Sequence, residues 1–536
     1  MTHTDYLTPV TIVGAGPVGL MLANLLSAYD IPVVVIERNK TTVQAPRAVS
    51  IDDESLRALQ IAGLADSLKE RCAMDYGSVY LGPTRNIFAQ VSPTCAEYGH
   101  PRRSAFAQPE LEALLHQGLA RFPRAEVRFE HEVTGLTQHD DYVTLDIRRA
   151  DGSTYQHMTR FVAACDGGRS PLRHLIGVGM QGYTYEKKWL IIDLKGTRDN
   201  FRETRVYCDP RRPGINLPGP NRTRRFEFML LEGETDEQVT DPQFIAQLLR
   251  DHGPDEGIEI VRKQVYTFHA RMATDWKKGN VFLLGDAAHL TPPFAGQGLN
   301  SGLRDAANLS WKLAAVIKNQ MPPAVLESYQ QERPEHAWQL IEMAIKLGRI
   351  MMPATLFKAR LLELFFKTLQ WIPPAHEYIT QMRYKPKPRF SKGFFVSDGA
   401  DLKKTRVGRM LPQPLVEIEH SRQVVKLDEV LGHGFVLIAL TAAPDKAFDG
   451  LPELPFEQSL GLKRVCITPR YYNAFPAACG NVVTVRDVHG DFEKYTAAND
   501  VWLLVRPDRY VMACIPRSQP HATLAELDRL LGIPSQ

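Results

Sequence analysis

Gly14-Ala15-Gly16-Pro17-Val18-Gly19 is the feature that most narrows the folds open to this chain. It follows a buried-strand pattern, Val10-Thr-Ile-Val13, and opens a helical stretch from Pro17 to about Tyr29; a second apolar run, Val33-Val-Val-Ile36, comes next. Strand, glycine turn, helix, strand is how a parallel α/β sheet begins. Gly14 permits the tight turn, Gly16 lets backbone approach a pyrophosphate, and Gly19 lets helix and strand pack closely. The N-terminus of the helix that begins at Pro17 offers unpaired N–H donors and a positive dipole end to phosphates. Glu37, 18 residues past Gly19, ends the second strand where a carboxylate can bind an adenosine ribose, with Arg38 beside it. Context rather than glycine count makes this a dinucleotide site. Gly177-Val-Gly179-Met-Gln-Gly182 has the same spacing, yet no strand precedes it and β-like sequence follows, so it is not read as one.

A second motif, Gly285-Asp286-Ala-Ala-His289, follows the apolar strand Val281 to Leu284 and leads through Pro292-Pro293-Phe294-Ala-Gly296-Gln-Gly298-Leu299-Asn300 into a helix. A carboxylate at a strand end can accept hydrogen bonds from polyol hydroxyls. Gly296 and Gly298 let backbone approach a flat ring system, and the helix beginning near Leu299 would stabilise negative charge on it. His289 is read as a packing or hydrogen-bonding residue.

With a third segment, Cys165-Asp166-Gly167-Gly-Arg169-Ser170-Pro-Leu-Arg173, these motifs resemble the class A flavoprotein aromatic hydroxylases of the para-hydroxybenzoate and phenol hydroxylase type, over residues 8 to about 390. Ile51-Asp-Asp-Glu54, Pro101-Arg-Arg103, Arg224-Arg-Phe-Glu-Phe-Met229, Gly233-Glu-Thr235 and Arg506-Pro-Asp-Arg509 are similar to the bacterial branch acting on 3-(3-hydroxyphenyl)propionate. Pro292-Pro293-Phe294 departs from the more polar-aromatic segment of that branch. The resemblance implies FAD as cofactor, NADH or NADPH and O2 as co-substrates, and hydroxylation of a phenolic acid through a flavin C4a-hydroperoxide. It places Arg47 near the flavin, Gln108 at the ribityl or flavin region, and Asp166 between FAD and nicotinamide. Pro293 and Phe294 border flavin and substrate. It also favours a homodimer or larger assembly. Hydroxylation of another aromatic (a resorcinol, pyridine or polyketide), a flavin oxidase and a non-catalytic FAD-binding protein stay open.

For a carboxylate-bearing substrate a planar arginine fork suits best, and Arg211, Arg224 and Arg225 are the candidates. Tyr266 is a candidate for activating the phenol, and His269 for contacting substrate or relaying a proton. No HExxH and no Cys/His cluster at ligand spacing is present, so no metal site is expected.

The same texture divides the chain. Residues 1–181 begin a Rossmann-like FAD-binding domain, 182–270 form an inserted β-rich substrate domain, and 271–390 complete the first domain with a helical segment. Residues 391–536 resemble a thioredoxin-like domain without a CxxC, hence structural, and Tyr384-Lys-Pro-Lys-Pro-Arg389 reads as a linker. Ile350 to Ile372 reads as an amphipathic helix packed on the domain body. Sixty-four basic and 61 acidic residues leave a net charge of +3, no footprint for nucleic acid. No apolar run reaches the ~18 residues of a membrane span, no secretory leader is apparent in Met1–Tyr6, and seven scattered cysteines suit reduced thiols, so a cytoplasmic protein is expected.

Overall fold

A computed structural model describes residues 7–401, 404–419, 421–472, 482–492 and 500–532. The opening pattern folds as its sequence dictates. Thr8–Val13 lies inside a sheet ordered Lys277–Lys278, Val281–Leu283, Thr154–Ala164, Thr8–Val13, Val33–Ile36, Ala125–Arg128. From Val281–Leu283 to Ala125–Arg128 neighbouring strands are parallel. Thr154–Ala164 also runs antiparallel to Val143–Arg149, which pairs with His131–Gln138. Helix Pro17–Ala28 is buried from Gly19 to Ser27 because the sheet covers one side and helix Gly298–Ile317 the other. A Cβ on Gly19 would stand 2.1 Å from the Gly14 carbonyl oxygen, and one on Gly302 would stand 2.5 Å from Val18. Only glycine permits these approaches.

A second eight-stranded sheet packs against the first unit. Its order is His289–Leu290, Glu259–Ala273, Met180–Lys195, Thr223–Met229, Gly214–Pro218, Thr204–Tyr207, Ser78–Leu81, Ile87–Val91. Residues 182–270 therefore do not enclose it: the last two strands are a hairpin from far upstream, joined in parallel through Ser78↔Thr204 and Tyr80↔Val206. The second glycine pattern belongs to this sheet. At Gly182 a Cβ would stand 2.1 Å from the Ala270 carbonyl oxygen, so the glycine serves strand pairing, and no helix follows.

The C-terminal unit is a seven-stranded mixed sheet carrying the helix Pro520–Leu531. It is fastened to the rest by buried ions. Arg506 pairs with Glu332 (2.6 Å), which also takes Lys312 (2.7 Å), and Arg57 pairs with Asp428 (2.7 Å). The expected linker is part of this fastening. Tyr384 lines the main cavity, and the Lys385 ammonium sits among Asp52, Asp53 and Glu54 at 3.0, 3.1 and 2.7 Å. Those three carboxylates are close enough to share an ion, and a lysine fills that place.

The stretch 350–372 is not one packed helix. Helix Glu327–Met351 ends there and Leu356–Leu369 follows, with Phe357, Leu361, Leu364, Phe365 and then Trp371 exposed. No helix among the described residues is long and apolar enough to cross a membrane. Cys72, Cys95, Cys165, Cys208 and Cys514 are free thiols; Cys479 lies outside the described residues.

Candidate functional site

Three motifs distant in sequence meet at one place. Gly14 packs against the start of the Asp166-Gly167 segment, where a Cβ would lie 2.4 Å from the Cys165 carbonyl oxygen, and its φ is +107°. Val18 packs against Gly285, whose φ is +57°. Arg173 closes the ring by donating to the carbonyls of Ala287 and Gly168, both at 3.0 Å. Together they border a cavity of ≈ 530 Å³ running between the two sheets.

At one end the cavity is built for a dinucleotide. Gly16, Pro17, Glu37, Arg38 and Asn39 line it. Helix Pro17–Ala28 starts there with no side chain capping its N–H groups, and nothing lies within 4 Å of a Cβ built on Gly16. The Glu37 carboxylate accepts from Ala15 N (2.8 Å), Asn39 N (2.8 Å) and Asn39 Nδ2 (2.5 Å). A carboxylate has about four lone-pair sites, so one remains for a ribose hydroxyl. Further along, Asp166 keeps one carboxylate oxygen without a partner while the other accepts from Leu172 N at 3.0 Å. Burial holds its pKa above the ordinary value, against hydrogen bonds that lower it. Open helix donors, an open glycine and an unpartnered buried carboxylate fit the pyrophosphate and hydroxyls of FAD.

The middle of the cavity is lined by Arg47, Gln108, Asp286 and the turn Pro293, Phe294, Gly296, Gly298, Leu299. Asp286 faces the cavity, and burial raises its pKa against the lowering influence of His289 and Arg47. Gln108 holds the loop beside the cavity, accepting from Ala48 N at 2.7 Å and donating to Glu112 at 2.7 Å. Gly19, Gly285 and Asn300 stand behind the lining. The Gly285 N–H goes to Asp305, and Asn300 clasps the turn through Gly296 O (2.6 Å), Ser50 O (3.1 Å) and Asp52 N (3.1 Å). Asn300 thus shapes the site from outside it. His289 is fully buried, stacked on Trp276 and held by Asp305 at 2.8 Å.

These contacts separate two roles for glycine. Gly14→Ala should cost the apoprotein about 1–3 kcal/mol, from forcing a side chain into a disfavoured φ and an occupied space. Gly16→Ala, at φ −74° with open space around it, should leave apoprotein stability unchanged and weaken FAD binding. Denaturant titration of both apoproteins beside flavin titration checks the contrast; equal stability losses would refute it.

The far end is walled by the second sheet. Ile191, Ile215, Val206, Tyr80, Phe268, Phe294 and Met351 give it an apolar surface. Phe294 meets Trp189, Phe268 and Tyr185 with ring centres 5.6–5.8 Å apart. Tyr266 also lines it, donating to Gln264 at 3.0 Å and accepting from Arg262. His269 does not. Strand residues alternate faces, so Tyr266 and Phe268 point inward, while His269 bonds Thr184 at 2.9 Å on the other side and burial lowers its pKa.

Two of the three expected carboxylate-binding arginines are elsewhere too. Arg211 is held by Asp209 (2.7 Å) at the surface, and Arg224 is buried on Asn216 (2.6 Å) and the carbonyls of Asp199 and Phe201. Arg225 does line the cavity, but it pairs with Asp193 (2.7 Å) and donates to the carbonyls of Pro46 and Arg47, tying the two units together. Arg262, missed in the sequence, joins it on Pro46. Glu227, also missed, is a buried carboxylate in the wall, pushed up to about 7 by burial and the nearby Asp193 against Arg225 and Arg262. Its signal was faint: one acid among apolar residues on a strand whose register only pairing reveals.

Residues 7–344 match the family described as "FAD binding domain", and 408–530 match the "HcaD C-terminal domain". The chain belongs to this FAD-binding family. FAD is its cofactor, as the cavity already indicates. The chain is 39% identical over 520 residues to a 3-(3-hydroxy-phenyl)propionate/3-hydroxycinnamic acid hydroxylase of Burkholderia cenocepacia (strain HI2424), covering 94% of this chain and 93% of that one. An Escherichia coli (strain SMS-3-5 / SECEC) protein of the same name is 37% identical, covering 96% and 93%. Among solved structures, a ternary complex of aklavinone-11 hydroxylase with FAD and aklavinone superposes with a TM-score of 0.79 at 23% identity, covering 99% of this chain and 100% of the other. The fold of a flavin-dependent monooxygenase therefore extends through the C-terminal unit.

Proposed function

We propose that this chain hydroxylates a phenolic acid of the 3-(3-hydroxyphenyl)propionate type, using NADH or NADPH and O2. The observation that carries the reading is the continuity of one cavity from the dinucleotide end, past Asp286, into an aromatic-walled chamber. The two relatives named for that substrate support the choice of acid. On this reading 1–181 and 271–390 carry the cofactor, 182–270 with the 78–91 hairpin carries the substrate, and 391–536 is a thioredoxin-like unit with a structural role. The enzyme would work in the cytoplasm, as a homodimer.

When bound, FAD supplies electron transfer from the nicotinamide and activation of O2. The protein's part is to hold, orient and keep dry. The Gly14–Gly19 turn and Glu37 fix the adenosine end, and Asp166 and Asp286 offer carboxylates to hydroxyls. Ile191, Ile215, Phe268 and Phe294 exclude water from the ring to be oxidised, which keeps activated oxygen from escaping as H2O2. One oxygen atom of O2 enters the ring and the other leaves as water, with the electron pair drawn from the nicotinamide. Tyr266, at the chamber wall, is placed to exchange a hydrogen bond with a phenolic hydroxyl.

The decisive measurement follows NADH and NADPH oxidation by the purified yellow protein against a panel of phenolic acids, with product analysis. Stimulation by a 3-hydroxyphenyl acid and a dihydroxylated product are expected. Oxidation that ignores every phenol, or that yields only H2O2, would sink the reading.

A further inference from the structure

Five arginines line the cavity: Arg38, Arg47, Arg103, Arg225 and Arg262. Arg38 and Arg47 lie along the cofactor path. Arg225 is spent on Asp193 and two carbonyls, and Arg262 lies 3.7 Å from the same aspartate and donates to Pro46. Arg103 differs. It sits among residues of the substrate sheet, donating to Ser78 Oγ and to the Tyr76 hydroxyl at 3.2 Å, with its guanidinium 4.6 Å from the Tyr76 ring centre. No carboxylate of the described residues pairs with it. A guanidinium carries its charge at every physiological pH, and one placed in a cavity wall without a counter-anion is incomplete until an anion arrives.

A second observation falls on the same spot. Thr204, paired with Ser78 across the parallel strands, is 3% exposed and lines the cavity, and its hydroxyl has no hydrogen-bond partner. Buried hydroxyls without partners are uncommon because each costs desolvation without return. Tyr80 and Tyr384 line the cavity too.

We infer that Arg103 and Thr204 form the subsite that takes the carboxylate of the aromatic acid, and so decide that the enzyme prefers acids over neutral phenols. The inference rests on the hydroxylase reading above. The opposite part of the wall has its charges already paired. Glu227 is reached from Tyr80 through Val206 and Ile215, three strand steps away, roughly 14 Å at ~4.8 Å per strand. There Arg225 already faces Glu227 at 3.9 Å and Asp193 at 2.7 Å, whereas Arg103 has no carboxylate among the described residues, so the acid enters with its side chain toward Arg103 and its ring toward the middle of the cavity.

The test compares 3-(3-hydroxyphenyl)propionate with 3-(3-hydroxyphenyl)propan-1-ol in the holoenzyme. Wild type should favour the acid in kcat/KM by about 10–100-fold, the range a charge-assisted pair commands. Arg103→Met should remove most of that preference by raising KM for the acid while leaving the alcohol within about threefold. Arg103→Lys, which keeps the charge without the fork, should restore part of it. Because Arg103 also braces Ser78 and Tyr76, Thr204→Val provides a milder probe, expected to raise KM for the acid alone by about 3–10-fold. Equal turnover of acid and alcohol by wild type would overturn the subsite and leave the hydroxylase intact; turnover of neither would overturn the hydroxylase reading itself. Equal losses on both substrates in Arg103→Met and Thr204→Val would reduce the pair to a structural brace.

Discussion

Asp286→Ala should purify nearly colourless and fold normally. Asp286 closes the strand Val281–Leu283 in a short turn, lines the cavity, and accepts no hydrogen bond from the described residues. Its carboxylate is held in a site where burial raises its pKa, so the folded protein gains nothing from it until a ligand hydroxyl donates. Hydrogen bonds to a charged acceptor contribute about 1.5–3 kcal/mol, so losing one should weaken FAD by roughly 10–150-fold. Asp286 is exposed to the cavity in the apoprotein, so removing its carboxylate should leave the thermal stability of the apoprotein unchanged. Flavin absorbance per chain, read beside the apoprotein melt, separates the two effects. Full flavin occupancy in the variant would show that the ribityl chain is held elsewhere.

The second large effect lies far from the chemistry. Glu332→Ala should destabilise the protein by about 3–5 kcal/mol, the usual cost of stranding buried charges. Its carboxylate accepts from Arg506 at 2.6 and 3.0 Å, Lys312 at 2.7 Å, Asn308 at 2.7 Å and Phe394 N at 2.8 Å, all in the interior. Without it Lys312 loses its paired carboxylate in a dry space, and Arg506 keeps only Asp508, at 2.5 Å. Burial alone would raise the pKa of Glu332, but Arg506 and Lys312 outweigh it and bring it down to about 2. A carboxylate whose folded pKa is depressed stabilises the fold fully above its unfolded pKa, ~4.3 for glutamate. That contribution drains as the pH falls from there toward 2. Denaturation midpoints measured from pH 7 to pH 3 should therefore fall more steeply in wild type than in Glu332→Ala. Parallel curves would mean that the ion cluster contributes little to acid sensitivity.

The cofactor end was legible because its information is local. The strand, the turn and the helix of residues 8 to 28 are adjacent in sequence, and each glycine's task follows from its neighbours. The substrate end was not. Arg211, Arg224 and His269 carry suitable chemistry in the right segment, but strand alternation and nearby acids turn them to other work. Arg103 drew no notice as a ligand because Tyr76, Ser78, Thr204 and Tyr384 gather around it from separate stretches. Lys385 read as linker because its three acids lie more than three hundred positions upstream, and burial of that kind leaves no periodic trace. Arg225 was found for one role and has another, bracing the loop at Pro46 that carries Arg47.

The hairpin 78–91 bears on how such enzymes can be recombined. Exchanging residues 182–270 with those of a relative would import five strands of foreign curvature against a native edge, and half of the acid-recognition pair would stay behind on the recipient. A chimera meant to move substrate preference must carry the hairpin and Arg103 as well. Within this architecture specificity is inherited in at least two pieces, and drift in either one alone is enough to blunt it.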